Sequence, residues 1–111
     1  MNVVERESGG ITVLAFAGRL TLGEDCHEAR ARIKSLLAEG KSRLVLDLGN
    51  VNYIDSAGLG TLVASFTSAQ SQGGALKLAR LSLRIQQLLR STKLLTVFEV
   101  FDSAEEAVTS F

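Results

Sequence analysis

The residues best placed to do chemistry lie in one run, Asp55-Ser56-Ala57-Gly58-Leu59-Gly60, where a strand-end loop leads into a helix. Ser56 suits the N-cap of that helix, because a hydroxyl oxygen accepts a bond from an amide left unpaired at the helix start. Gly58 and Gly60, inside the first helical turns, each cost about 1 kcal/mol relative to Ala. Close approach of another backbone or of a partner surface offsets such a cost. A bare face at the two glycines also leaves Ser56 open to an incoming macromolecule. Free amides and the positive end of the helix dipole make this helix start an anion site. A phosphoryl group on Ser56 would add about −1.5 to −2 charges beside Asp55, enough to break a neutral contact surface by repulsion and desolvation. The plain alternative is that Ser56 only caps the helix and the glycines only permit tight packing.

Other chemistry is poorly supplied. Cys26 and His27 are adjacent, so on a helix they point different ways, and no other Cys or His completes a metal set; a surface pair is expected. A serine hydrolase needs a base, but His27 is the sole histidine and Ser56 is not in a Gly-x-Ser-x-Gly setting. No glycine-rich phosphate loop is followed by lysine. Asp47 lacks the acidic pair and downstream lysine of a receiver-like phosphoacceptor and reads as a strand-end carboxylate facing solvent or capping.

Composition narrows the class. The chain has 111 residues and no net charge, with 46% hydrophobic and 22% charged residues, which fits a single globular domain spanning 1–111. No basic stripe suggests nucleic acid. Arg30, Arg32 and Lys34 on one helix, and Arg84 and Arg90 on another, read as solvated faces. One cysteine excludes an internal disulfide and suggests a cytoplasmic setting. Met1–Glu7 lacks the basic head and apolar core of a secretion signal, and no apolar run reaches the roughly 20 residues of a membrane span.

Several elements must position Asp55 and Ser56. Val3–Glu7 and Ile11–Ala17, joined by Ser8-Gly9-Gly10, predict a hairpin whose second strand is apolar on both faces and therefore internal. Gly18–Gly23 is a loop. A helix from about Glu24 to Glu39 carries Ala29, Ile33, Leu36 and Leu37 as its buried stripe. Leu44–Leu48 is a buried strand, Gly49–Asn52 a break, and about Ser56–Gln72 a helix with Leu59, Leu62, Val63, Phe66 and Ala69 inward. A strand at Leu76–Leu78 follows. Then comes a short helix capped by Ser82 that carries Ile85, Leu88 and Leu89. Val97–Phe101 reads as a last strand, and Ser103–Glu106 as a capping box opening a last helix. The alternation predicts an α/β fold: a mostly parallel sheet of about five strands with one antiparallel edge strand and about four helices, the main ones on one side.

The run Val45–Gly60 resembles the signature of the STAS domain of bacterial anti-sigma factor antagonists. Gly18-Arg19-Leu20, Gly73–Leu78 and Val97–Ala107 extend the likeness over essentially the whole chain. The resemblance implies a non-enzymatic switch. The antagonist binds an anti-sigma factor that is also a serine kinase and frees the sigma factor; phosphorylation of Ser56 releases it and a serine phosphatase resets it. It further implies a partner surface of Arg19, Thr21, Asp55, Ser56, Ala57, Gly58, Leu59 and Gly60, with no metal and no cofactor, since the kinase brings the ATP. Nucleic-acid binding and membrane insertion are not implied, and a monomer or weak dimer is expected. Many relatives place an acidic residue where this chain has Thr21, and a glycine where it has Lys93. The alternative within the family is a STAS subunit of a lipid-transport or signalling assembly that acts by contact without phosphorylation.

Overall fold

The computed structural model describes all residues, Met1–Phe111. Gly9 and Gly10 adopt φ of 57° and 82°, the left-handed backbone that a tight hairpin requires and glycine tolerates. They fold β1 (Asn2–Ser8) antiparallel onto β2 (Ile11–Leu20), with Ser8 opposite Ile11. The chain continues through α1 (Glu24–Ala38), β3 (Arg43–Ile54), α2 (Ser56–Ser71), β4 (Ala75–Ala79), α3 (Leu83–Ser91), a 3-10 turn at Leu94–Thr96, β5 (Val100–Phe101) and α4 (Ala104–Thr109). The sheet order follows the chain, β1-β2-β3-β4-β5, and every pairing after the first is parallel.

The period-two alternation of the inner strands divides the core. Leu14, Phe16, Leu44, Leu46, Leu48, Leu76 and Leu78 pack with α1, α2 and α3 on one side. Ile11, Val13, Val45 and Ala79 face the other side, where Ala104 and Ala107 of α4 cover them. Lys77 lies on that second side and is buried. Its ammonium donates to the Ser110 carbonyl at 3.1 Å and hydroxyl at 2.8 Å, and pairs with Glu99 at 3.1 Å. A buried ammonium is tolerable only when satisfied in this way. Ser82 and Ser103 cap α3 and α4 as expected, accepting from the amides of Ile85 and Glu106.

Several local expectations change. Gly49–Asn52 is not a break: β3 runs on to Ile54, because two register shifts against β2 each absorb one extra β3 residue. Exposed Asn50, Asn52 and Tyr53 then alternate irregularly with buried Val51 and Ile54. Asp47 is consequently mid-strand and buried, and Oδ1 accepts from Arg80 Nε at 2.9 Å and from the Gly49 amide at 3.0 Å. The last strand shrinks to Val100–Phe101, since Phe98 leaves the sheet line to pack edge-on against Phe66. Lys93 takes φ 63°, the left-handed geometry that suits glycine at that turn. Finally, Cys26 is buried in the core while His27 is exposed, so the two do not form a surface pair. No three metal-ligating side chains stand together, and no helix is long and apolar enough to cross a membrane.

Candidate functional site

Parallel strands all deliver their loops to one edge of the sheet. The loop after β2 and the start of α2 therefore meet at the same edge. The meeting is held by Asp55, not Ser56. Asp55 has extended backbone (φ −97°, ψ −175°) and is the N-cap of α2, its Oδ1 accepting from the Gly58 amide at 2.8 Å. Its other oxygen, Oδ2, accepts from the Leu22 amide at 2.9 Å. The Asp55 amide in turn donates to the Leu20 carbonyl at 3.4 Å. The cap residue therefore stitches the β2–α1 loop to α2. The amides of Leu22, first, and of Gly58 hold the Asp55 carboxyl below the usual carboxylate range, because both bonds favour the charged form.

Asp55 also alters the expected anion site. The helix start is already occupied by the protein's own carboxylate. Ser56, the first residue of α2, is exposed and relieved of capping. The two glycines part company. Gly58 is buried, and a Cβ there would collide with the Leu20 carbonyl oxygen and come within 2.8 Å of Ile54 Cγ2. A Cβ at Gly60 would meet nothing. Only Gly60 presents the bare outer face expected of both.

The eight residues of the expected partner surface thus separate by exposure. Arg19, Ser56 and Gly60 face outward; Asp55, Ala57 and Thr21 are half-buried; Gly58 and Leu59 face inward. Arg19 lies 5.4 Å from the centre of the Tyr53 ring, its partner in the β2–β3 register. Thr21 donates its hydroxyl to Asp25 Oδ2 at 2.9 Å, and the Met1 amino group lies 3.4 Å from Oδ1. The Thr21 bond, ahead of the amino group, holds the Asp25 carboxyl below its usual range. A stable carboxylate therefore stands at Thr21 although the residue itself is neutral. Two exposed apolar side chains adjoin this ground, Leu22 at 79% and Tyr53 at 41% exposure. An apolar residue between a threonine and a glycine in a loop is the sequence signal for Leu22; the polar spacing that suggested a break hid Tyr53.

Two outcomes follow for this helix start. Gly60→Ala raises stability by about 1 kcal/mol, the ordinary helix preference. Gly58→Ala lowers it by about 2 kcal/mol through overpacking. Equal shifts in urea denaturation would contradict the division. For Asp55, a carboxyl whose pKa is depressed in the fold stabilises above its unfolded pKa, and loses that contribution as pH falls through its folded value. Asp55→Ala should lower the melting temperature by about 5 °C at neutral pH. The gap from the unsubstituted protein should begin to narrow below about pH 4 and be lost only once the pH has fallen through the depressed folded value; a gap that persists undiminished in acid would be inconsistent with the two amide bonds.

Comparison with known proteins places this geometry. The STAS domain family profile matches residues 2–107. The anti-sigma-B factor antagonist of Bacillus subtilis is 39% identical over 72 residues, which span 65% of this chain and 66% of that protein, just under two thirds of its length. TM1081 of Thermotoga maritima superposes with a TM-score of 0.91 at 24% identity, over 97% of this chain and 92% of that one. The Bacillus cell fate determinant SpoIIAA in its phosphorylated form superposes with a TM-score of 0.78 at 16% identity, over 98% of both chains. At those identities the two superpositions speak for the fold alone. With the profile match running from β1 into α4, the chain belongs to the STAS domain family.

Proposed function

We propose that this chain is a bacterial anti-sigma factor antagonist, acting in the cytoplasm by binding rather than catalysis. It binds an anti-sigma factor serine kinase through the surface around Ser56, frees the sigma factor, and is released when Ser56 is phosphorylated. A serine phosphatase restores it. The observation that carries this reading is the exposed Ser56 set directly after an ionised, fully engaged Asp55 at a helix start. The likeness to the anti-sigma-B factor antagonist supports the partner class.

The geometry suggests how the switch works. The kinase transfers the γ-phosphoryl group of ATP to Ser56 Oγ. An O–P bond forms, the bond to the ADP leaving group breaks, and the hydroxyl proton is lost. The product adds about −1.5 to −2 charges. It cannot take the Gly58 amide, which Asp55 already holds. The new charge therefore stays on the outer face, next to a carboxylate that remains ionised. Leu22, Tyr53 and Gly60 give a partner an apolar, uncluttered contact, and a dianion in its midst would have to be desolvated for contact to persist. Gly58 and Leu59 serve this surface from beneath, Gly58 by admitting the Leu20 carbonyl. Arg19 and Thr21 serve it from the loop side, where Asp25 supplies the charge that Thr21 lacks.

The substitution of Thr21 for an acidic residue favours one second reading, a STAS subunit that uses the same surface for contact without phosphorylation. Incubation with the cognate kinase, ATP and magnesium separates the two. The expected result is a single phosphate, absent from Ser56→Ala, and at least a tenfold weaker complex for Ser56→Asp. Phosphate on another residue, or undiminished affinity in Ser56→Asp, would overturn the switch; a kinase that binds but never phosphorylates would establish the contact-only reading.

A further inference from the structure

A concavity lies in the groove between α1 and α2, one end of it beside Thr61, which follows Gly60. It is an open trough of about 490 Å³, within the volume range of small-molecule sites. The helices run parallel here, with Arg30 beside Thr61 at one end and Leu37, Ala38 and Gln72 at the other. Ala38 and Ala64 are exposed, and their short side chains leave the groove open. The floor between them is apolar, formed with Ile33 and Leu37.

Both charges lie in the first half of the groove, Arg30 at its end and Lys34 midway to Ala38. Arg30 Nε donates to Thr61 Oγ1 at 3.0 Å, which fixes the guanidinium at the groove and leaves its terminal nitrogens free. Lys34 follows one turn later on the same side. Neither cation pairs with a carboxylate, unlike Arg6, Arg32, Lys41, Lys77 and Arg80. The Ser65 hydroxyl, spent as a donor on the Thr61 carbonyl at 2.7 Å, brings no negative charge. Arg30 and Lys34 are exposed, as the expected solvated face requires, and the fold additionally sets them beside an apolar trough. From Arg30 to Ala38 the trough runs about 12 Å.

We infer that this groove binds a small amphiphilic anion, a carboxylate or phosphate head group held by Arg30 and Lys34 with an unbranched aliphatic tail of about eight carbons along Ile33, Leu37, Ala38 and Ala64. The paired cations select the anionic head, and the alanines admit the tail. The Arg30–Thr61 end of the groove adjoins the Ser56 surface through Gly60, but the site does not rest on the switch proposed for that surface.

Titration of the full-length protein with octanoate, octyl phosphate and 1-octanol, followed by amide NMR shifts, tests this. Saturable shifts at Ala64, Ser65 and Ser68 are expected for one or both anions near 1 mM or tighter, about −0.3 to −0.4 kcal/mol per non-hydrogen atom for so small a ligand. The tighter anion identifies the head group. Arg30→Gln combined with Lys34→Gln should weaken binding at least tenfold, and Ala64→Trp, at an exposed position, should abolish it while amide shifts elsewhere remain native. No saturation by about 10 mM, equal binding of 1-octanol, or unchanged affinity in either variant overturns the inference. So does a groove that takes only a protein helix, seen as partner binding lost in Ala64→Trp with no response to either anion.

Discussion

One carboxylate joins the two pieces of backbone on which the candidate site depends. Asp55 accepts from Leu22 with one oxygen and from Gly58 with the other, so the β2–α1 loop and the start of α2 share a single anchor. The anchor works only because Gly58 has no side chain. The Leu20 carbonyl occupies the space a Cβ would fill, and the Asp55 amide donates to that same carbonyl. Asp at 55 and Gly at 58 are therefore one constraint. Ser56, placed between them, inherits an exposed position and a fixed backbone without contributing to either.

This arrangement separates structural and functional demands on adjacent residues. If Ser56 capped α2, modifying its hydroxyl would break the cap and loosen the helix. With Asp55 as cap, the charge that the proposed switch would add at Ser56 would leave the cap of the helix in place. The loop benefits likewise, since Leu22 is held by its amide and its side chain is left to solvent. The parallel sheet makes such an assembly economical, because β2 and β3 end at the same edge and bring loop and helix together without a long connection. Fold alone does not assign function; the weight of the proposal falls on the Ser56 surface.

Most of the architecture was legible because helix and strand periodicities rarely conflict in this chain. Ala29, Ile33, Leu36 and Leu37 face the core as their spacing predicts, and Ser82 and Ser103 cap the helices they precede. The failures have local causes. Gly49–Asn52 has the composition of a turn, and only pairing with β2 reveals that two bulges carry the strand through it. Asp55 and Ser56 are both good N-caps, so sequence could not choose; the Leu22 amide, 33 positions away, decides for Asp55. Gly58 and Gly60 look alike in sequence and differ only in what approaches them. Arg30 and Lys34 are exposed as their pattern predicts, but the groove beside them was hidden because a different helix forms its other wall. In each case the missing information is a contact between residues distant along the chain.

The central claim is that the Asp55 carboxylate binds loop and helix as one unit. Amide hydrogen exchange in the unmodified protein tests it most directly. Leu22 lies in an exposed loop and has no other reason for protection. The account predicts that Leu22 and Gly58 are both protected relative to a free peptide, and that their protection factors fall together as pH drops through the Asp55 titration. Free exchange at Leu22 while Gly58 stays protected would contradict it, reducing Asp55 to an ordinary cap and leaving the β2–α1 loop unanchored.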